Sequence, residues 1–255
     1  MSAITTHPSP RAVIFDAYGT LFDVHSVVSV AEQLFPGKGE PLSQLWRQKQ
    51  IEYTQLRTLA DPSGSHYAPF WDITIDALRH AAARLGLADA LNSAAEKRLM
   101  DEYACLSAFP DTVTALKQWR EHAGIPLAIL SNGNPPMLDI AVKSAGMTGL
   151  FDHVLSVDAV RAYKPAAAAY ELGTRAFGVA AREIVFVSSN GWDIAGATWF
   201  GYTTFWINRA GLPVEELGLA PRATGRGMAE LIEFIEGGCK PQDIPLRGAR
   251  RAPRN

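Results

Sequence analysis

The sequence predicts an α/β fold with a doubly wound, Rossmann-like parallel sheet as its core and an inserted helical cap domain. Short apolar runs alternate with helical stretches along most of the 255 residues. The alternation is broken once, after the first run, by a segment whose only periodic signals are helical. The chain is also long enough for a complete core and a second, smaller domain.

Five apolar runs have the length and composition of strands that are buried on both faces of a parallel sheet. The first, Ala12–Phe15, stops abruptly at Asp16. The others are residues 126–130, 154–157, 184–187 and 203–207, with helical stretches at 112–122 and 136–145 between them and a short closing helix at 228–235. We therefore assign residues 11–21 and 106–235 to the core domain.

Residues 22–105 are predicted to form the cap domain, because they contain helical stretches and no convincing strand. The first stretch carries a helical stripe, and the next two span residues 70–85, with Gly86 as C-cap, and residues 94–106, ended by Pro110. The stripe consists of Leu42, Leu45, Trp46, Lys49, Tyr53 and Leu56. Since doubly wound sheets bind ligands beyond the carboxyl ends of their strands, a helical block inserted there is expected to cover a ligand site.

The composition excludes several classes of protein. The chain has 24 Lys and Arg against 26 Asp and Glu, which argues against a disordered polyelectrolyte and against a nucleic-acid-binding body. No apolar run reaches the roughly 18 residues of a membrane span. Cys105 and Cys239 lie outside any CxxC spacing and the N-terminus lacks a secretion signal, so we expect a cytoplasmic protein without a disulfide scaffold or zinc ribbon.

Both ends of the chain are predicted to be disordered. Residues 1–10 are polar, contain two prolines and form a loose lead-in. Residues 236–255 form a basic tail, which includes Lys240, Arg247, Arg250, Arg251 and Arg254. A nucleic-acid or membrane patch is the alternative there, but the three prolines and the lack of aromatic residues favour a solvated tail with neither partner.

Polar clusters directly follow three of the predicted strands, and a fourth cluster lies in the loop region after another strand. Asp16 ends the first strand, residues 131–133 (Ser-Asn-Gly) the second and residues 188–193 (Ser-Ser-Asn-Gly-Trp-Asp) the fourth, while Lys164-Pro165 follows the third. Each cluster has a simple structural explanation, since Asp, Ser and Asn form turns and Lys is usually solvated. Four such clusters at one edge of a sheet nevertheless predict a functional site, with Asp16 as a candidate nucleophile.

These clusters, in this order, resemble the four motifs of the haloacid dehalogenase superfamily. Residues 15–23 (FDAYGTLFD) are similar to the first motif and residues 130–133 (LSNG) to the second. Lys164-Pro165 is similar to the third, and residues 187–193 (VSSNGWD) to the fourth. The resemblance extends over about residues 11–210 and implies the same capped α/β fold that the periodicity predicts.

Two positions distinguish this chain from the phosphatases of that superfamily. Those enzymes carry a second Asp in the first motif and a further Asp in the fourth, where this chain has Tyr18 and Ser189. A phenol with an ordinary pKa near ~10 cannot replace the acid/base carboxyl at neutral pH, and Mg²⁺ prefers carboxylate ligands. We therefore expect a reaction that uses no metal and no other cofactor.

The remaining features resemble the L-2-haloacid dehalogenases in particular. Residues 45–53 (LWRQKQIEY) are similar to the cap segment that supplies the active-site arginine of that family, here Arg47. Tyr170 follows Lys164 by six positions, as in that family, and residues 205–209 (FWINR) resemble its last core strand. The loop 60–69 is longer than the family pattern, which leaves the preferred substrate side chain open.

The resemblance implies that the protein hydrolyses short-chain L-2-haloalkanoic acids to D-2-hydroxy acids through an aspartyl ester. It also implies a homodimer, whose ligands are the haloacid substrate and the halide product. Its catalytic residues would be Asp16 as nucleophile, Lys164 to keep it ionised, Arg47 and Asn190 to receive the halide, Thr20 and Ser188 to hold Asp16 and Lys164 in place and Asp193 to activate water. Its substrate-binding residues would be Tyr18, Gln48, Ile51, Phe70, Ser131, Asn132, Tyr170 and Trp192.

Two alternatives remain open at this point. A phosphatase or phosphonatase of the same superfamily, acting on a small phosphorylated metabolite, keeps the fold and Asp16 but lacks two carboxylates. A non-catalytic binding domain is expected to have lost Asp16, Lys164 or Asp193, and all three residues are present.

Overall fold

Six parallel strands form the central sheet of the protein, of which a computed structural model describes residues 10–122 and 124–242. Their order along the sheet is β3-β2-β1-β4-β5-β6. The direction of winding reverses between β1 and β4, so a ligand crevice is expected beyond the carboxyl ends of these two strands. The strands are β1 (Ala12–Phe15), β2 (Leu127–Ser131), β3 (His153–Ser156), β4 (Ile184–Ser188), β5 (Thr203–Ile207) and β6 (Ala223–Gly225).

The segment between β1 and β2 contains the helices of the cap. These are α1 (Val27–Leu34), α2 (Gly39–Ala60), α3 (Phe70–Arg84) and α4 (Ser93–Ala104), and they are followed by α5 (Thr112–His122) of the core. The buried face of α2 differs from the predicted stripe. Leu56, a member of that stripe, is exposed, and the buried face contains a row of residues spaced four positions apart. That row consists of Leu42, Trp46, Gln50 and Thr54.

Helices cover both faces of the sheet, so each strand places side chains in two apolar clusters. In β1, Val13 and Phe15 belong to the larger cluster, which continues into the cap, while Ala12 and Ile14 belong to the smaller one. All four residues of β1 are buried, which explains its uninterrupted apolar run. The remaining helices are α6 (Pro135–Ser144), α7 (Ala167–Phe177), α8 (Gly191–Phe200) and α9 (Met228–Glu236).

The predicted fold class is confirmed, with differences at the C-terminal end. Strand β6 is not predicted by the sequence, because Ala-Thr-Gly is too short and too polar to form an apolar run. Residues 237–242, predicted as part of a disordered tail, pack on this strand: Cys239 is buried, and the Thr224 N–H donates to Gln242 Oε1 at 2.8 Å. The tail prediction is therefore corrected for residues 236–242, since Glu236 ends α9, and the lead-in prediction is corrected for Pro10, which is buried; residues 1–9 and 243–255 lie outside the described part of the chain.

None of the helices within residues 10–122 and 124–242 combines the length and the apolarity needed to cross a bilayer.

Candidate active site

The carboxyl ends of three strands and one cap helix converge on a narrow cleft. Asp16 follows β1, Ser131 ends β2, and Ser188 ends β4 at the reversal point of the sheet, with Ser189 and Asn190 directly after it. From the opposite side α2 contributes Arg47 and Ile51, which are four residues apart and therefore share one helix face. The cleft is lined by Asp16, Tyr18, Arg47, Ile51, Phe70, Ser131, Asn132 and Trp192.

Lys164 is the centre of a buried charge cluster at the floor of this cleft. Its Nζ donates to Asp16 Oδ1 at 2.8 Å, to Asp193 Oδ2 at 2.7 Å and to the Leu130 carbonyl oxygen at 3.1 Å. The three N–H bonds of the ammonium group therefore each have an acceptor. On the far side, Tyr170 Oη donates to Asp193 Oδ1 at 2.7 Å, which fixes the second carboxylate.

The pKa values of this cluster follow from burial and from the excess of negative charge. Burial alone would lower the pKa of Lys164, but the adjacent Asp16 and Asp193 carboxylates outweigh it and raise the pKa above its usual value. Burial raises the pKa of Asp193, a change that Lys164 opposes and the Asp16 charge reinforces. The lysine is thus firmly cationic, and one ammonium is shared by two carboxylates.

The other oxygen of Asp16 is held by neutral donors. Thr20 Oγ1 and Asn190 Nδ2 each donate to Asp16 Oδ2 at 2.9 Å. Thr20 is in turn held by the Ser189 N–H, which donates to Thr20 Oγ1 at 2.8 Å. The turn between Asp16 and Thr20 contains Gly19 at φ +91°, a conformation that side chains other than hydrogen rarely adopt. Asp16 is therefore a fixed carboxylate at the edge of the cleft.

Arg47 reaches from the cap to the same group of residues. Its Nη2 donates to the Tyr18 carbonyl oxygen at 3.1 Å and to Asn190 Oδ1 at 3.3 Å, and its Nη1 donates to Gln50 Oε1 at 2.8 Å. Because Asn190 also donates to Asp16, the guanidinium of the cap and the carboxylate of the core are connected through one amide. A cation thus lies on the cap side of the cleft, opposite the carboxylate.

Aromatic side chains form the wall that excludes water from the cleft. Tyr18 stacks on Tyr103 with ring centroids 5.7 Å apart and contacts Phe70 at the same distance. Burial raises the pKa of Tyr18 well above the ordinary phenol value, and it also raises the pKa of Tyr103. Both phenols therefore stay neutral at physiological pH. Gly133 lies against the Tyr18 ring, where a Cβ would come within 2.7 Å of Tyr18 Cε2.

The long loop between α2 and α3 ties the cap to the core. Tyr67 Oη donates to Asp158 Oδ1 at 2.7 Å, and Tyr163 Oη donates to the Ala68 carbonyl oxygen at 2.6 Å. Tyr163 directly precedes the lysine of the charge cluster in the chain. These two hydrogen bonds connect the loop between α2 and α3 with residues 158–163, directly before Lys164. We call them the cap latch.

The structure corrects three of the predicted positions. Gln48 is exposed, because it is turned about 100° around the helix from Arg47, and it does not line the cleft. Tyr170 is fully buried beneath the cleft and contacts Asp193, so its position is that of a support and not of a substrate contact. Ser188 Oγ accepts the Asn190 N–H at 3.1 Å, and so supports Asn190 where the sequence indicated Asp16 or Lys164.

Sequence reasoning missed three residues of the site. Gln50 and Tyr103 support Arg47 and Tyr18 from within the cap, and Ser189 supports Thr20. A signal for Gln50 was available, since it continues the buried four-residue spacing from Trp46. The sequence around Tyr103 carries no comparable signal, because its role depends on the packing of α4 against the cleft.

The donor set does not fit a magnesium ion. Tyr18 directs its ring into the aromatic wall, and the Ser189 hydroxyl donates to the Gly19 carbonyl oxygen. In residues 10–122 and 124–242, no three His, Cys, Asp or Glu side chains are grouped as metal ligands. The Lys164 ammonium is a buried cation beside Asp16, and an ion such as Mg²⁺ would have to compete with it.

A family model described as haloacid dehalogenase-like hydrolase matches residues 10–201. The chain belongs to this family. The predicted resemblance is therefore confirmed for the family. The matched residues include strands β1 to β4 of the doubly wound sheet, with Asp16 directly after β1.

Similar members of the haloacid dehalogenase-like hydrolases cover almost the whole chain. An (S)-2-haloacid dehalogenase of Pseudomonas sp. (strain YL) is 44% identical over 89% of this chain and 94% of its own length. A crystal structure of an L-2-haloacid dehalogenase is 67% identical with a TM-score of 0.87, covering 90% of this chain and all of the other. The L-2-haloacid dehalogenase of Xanthobacter autotrophicus with chloropropionic acid covalently bound is 36% identical with a TM-score of 0.80, covering 89% and 99%.

Proposed function

We propose that this protein hydrolyses the carbon–halogen bond of short-chain L-2-haloalkanoic acids and releases D-2-hydroxy acids and halide. The observation that carries the proposal is the buried Asp16 carboxylate, held by Lys164, Thr20 and Asn190, with the Arg47 guanidinium across the same cleft. The similarity to (S)-2-haloacid dehalogenases, one of them solved with chloropropionic acid covalently bound, supports it.

In the first step an Asp16 carboxylate oxygen attacks C2 of the substrate from the side opposite the halogen. A carbon–oxygen bond forms, the carbon–halogen bond breaks, and the halide leaves with the bonding electron pair, so that C2 is inverted. The fixed hydrogen bonds of Asp16 supply the alignment that such a displacement requires. Because the halide gains a full negative charge, the cationic Arg47 and the donors of Asn190 are the groups that would stabilise it.

The substrate carboxylate needs donors at the other end of the cleft. Ser131 and Asn132 line that end, beside the first turn of α6. Ser131 Oγ accepts the Gly133 N–H at 3.0 Å, which leaves its own hydroxyl proton free for an anion.

In the second step water hydrolyses the aspartyl ester. The water attacks the Asp16 carbonyl carbon and a base takes one of its protons. Collapse of the adduct breaks the bond between the carbonyl carbon and the substrate oxygen, which leaves as the hydroxy acid with the remaining water proton. Asp16 is then a carboxylate again, and the base releases its proton to solvent. Asp193 is the base we assign, since it is the remaining carboxylate of the cluster and its raised pKa increases its affinity for a proton. Asp193 has no exposed surface, so the water would reach it along Asp16.

Isotope transfer under single-turnover conditions tests the covalent step. With enzyme in excess over L-2-chloropropionate in H₂¹⁸O, the peptide containing Asp16 should gain one ¹⁸O, and the lactate should contain none. Labelled lactate together with unlabelled Asp16 would show direct attack by water and would exclude the ester. The variant Asp16→Asn, which keeps the size of the side chain, should release no chloride.

Two further assays separate this activity from that of the superfamily phosphatases. Chloride release should be confined to the L enantiomer and should be unchanged by EDTA, and a generic phosphate ester should not be hydrolysed. The phosphatase alternative is not favoured, because neither Tyr18 nor Ser189 offers the missing carboxylate. A homodimer in the cytoplasm stays a prediction, and light scattering on the purified chain would test the dimer.

A further inference from the structure

A buried glutamine lies next to the arginine of the cleft. Gln50 has no exposed surface and lies one turn after Arg47 on α2, within the apolar interior of the cap. Burying a primary amide costs free energy unless its hydrogen-bonding atoms find partners. Its Oε1 accepts from Arg47 Nη1 at 2.8 Å, and its Nε2 donates to Thr74 Oγ1 at 2.7 Å and to Tyr103 Oη at 3.0 Å.

The direction of these hydrogen bonds is fixed by Thr74. Its hydroxyl donates to the Phe70 carbonyl oxygen at 2.7 Å within α3, so the same hydroxyl can only accept from Gln50. The Gln50 amide must therefore present its NH₂ group to Thr74 and its carbonyl oxygen to Arg47. The Trp46 Nε1–H, which donates to the Thr74 carbonyl oxygen at 2.8 Å, holds α2 and α3 in register at this level.

A neutral acceptor suits the cation that it contacts. A carboxylate at position 50 would form an ion pair with Arg47 and compensate its charge, whereas an amide oxygen orients the guanidinium and leaves the charge available. Long arginine side chains lose rotamer freedom when they are held in one geometry, so a fixed acceptor reduces the entropy lost on each turnover. The uncompensated Arg47 charge can then stabilise a negative charge that develops in the cleft.

We propose that Gln50, oriented by Thr74, is a positioning residue that holds Arg47 at the leaving-group end of the cleft. The inference rests on the proposed function, in which Arg47 stabilises the departing halide. Chloride is a poorer leaving group than bromide and needs more of this stabilisation. Displacement of Arg47 should therefore slow the release of chloride more than the release of bromide.

The experiment compares 2-bromopropionate with 2-chloropropionate in a set of variants. Thr74→Val removes the acceptor for Gln50 with little change of shape, Gln50→Met removes the amide's hydrogen bonds to Arg47, Thr74 and Tyr103, and Gln50→Glu adds a competing charge. For each we expect kcat for chloropropionate to fall about 10- to 100-fold, the cost of a misplaced reacting group. The ratio of bromide to chloride rates should rise several-fold, and chloride should become a weaker product inhibitor.

Two matched control variants show whether a change in rate comes from the position of the Arg47 side chain. Thr74→Ser keeps the hydroxyl and should restore the wild-type ratio of rates. Gln44→Glu makes the same chemical change as Gln50→Glu on an exposed site of the same helix and should leave both rates unchanged. A general loss of cap stability would lower both rates in parallel, and it would be visible as a lower melting temperature.

The outcomes separate the two levels of the hypothesis. If the wild-type protein releases no halide from either acid, the proposed function itself fails. If the wild-type protein is active and the bromide-to-chloride ratio is the same in Thr74→Val, Gln50→Met and Gln50→Glu, the positioning role is overturned while the function stands. Should Thr74→Val not fold, the ratios for the two Gln50 variants decide the question alone.

Discussion

Lys164 follows Asp16 by 148 residues in the chain, yet its Nζ lies 2.8 Å from Asp16 Oδ1, and neither side chain exposes more than 7% of its surface. The contact joins the first strand to the loop after the third. It also connects the nucleophile to Asp193, because the same ammonium donates to both carboxylates. Two negative charges in one buried site are therefore stable only while this cation is present.

Removal of the shared cation should be costly in two different ways. Lys164→Met leaves two carboxylates in a buried site, and we expect the free energy of unfolding to fall by about 3–5 kcal/mol. Chloride release should also be lost, since one carboxylate will take up a proton. In the double variant Lys164→Met/Asp193→Asn, urea unfolding should show that part of the stability returns while the activity does not. Full stability in the single variant would contradict this account.

The buried phenols and Lys164 should make the fold sensitive to alkali. Burial raises the pKa of Tyr18 and Tyr170, and the pKa of Lys164 is raised because its two carboxylates outweigh burial. Above about pH 10 the unfolded chain releases these protons while the folded chain keeps them, so stability falls as the pH rises.

Each of these groups should contribute a slope of about 1.4 kcal/mol per pH unit once its unfolded form is deprotonated. Urea unfolding between pH 8 and 11.5 measures the slope. Tyr18→Phe removes one group and should make the curve less steep by about that amount. An identical slope in wild-type and variant protein would show that the Tyr18 phenol titrates in the folded state as it does in the unfolded chain.

The close contact of Gly133 with the Tyr18 ring predicts a sensitive position in the wall of the cleft. A Cβ in Gly133→Ala would lie 2.7 Å from Tyr18 Cε2 and 3.2 Å from Leu138 Cδ2, so the ring must shift. We expect a loss of about 1–3 kcal/mol in stability and a higher KM for L-2-chloropropionate. Gly146→Ala, at a glycine with no neighbour within 4 Å of the added atom, is the control for KM. Equal KM values in the two variants would contradict a role for this contact.

The cap latch predicts that the loop between α2 and α3 affects ligand exchange. Tyr67→Phe removes the hydrogen bond to Asp158 and should cost about 1 kcal/mol of stability. We expect faster chloride exchange in stopped-flow measurements together with a higher KM, because the cap opens more often. Tyr53→Phe changes a partly buried tyrosine of α2 outside the latch and serves as the control. Unchanged exchange rates would show that the cap does not limit access.

Much of the core of the site was predictable because strand ends carry strong local signals. Asp16, Ser131 and residues 188–190 follow uninterrupted apolar runs, and parallel strands bring their carboxyl ends to one edge. Lys164 was predictable from its motif, although its exact partners depend on the loop after β3. The sequence also predicted the helical cap, since its helices carry periodic apolar residues.

The details of the cap were less predictable, because helical periodicity leaves the orientation of the helix open. Neighbouring residues of α2 differ by about 100° in direction, so a small error in the assigned face exchanges Gln48 for Gln50. The resemblance implies a substrate contact for Tyr170, yet α7 places it beneath Asp193. Strand β6 carries too few apolar residues to be recognised without its neighbour β5.

Asn190 links the cap to the nucleophile. Its Oδ1 accepts from Arg47 of the cap while its Nδ2 donates to Asp16 of the core, so a single side chain contacts both parts of the molecule. A substitution in α2 that displaces Arg47 therefore alters the hydrogen bonding around the nucleophile through this one amide.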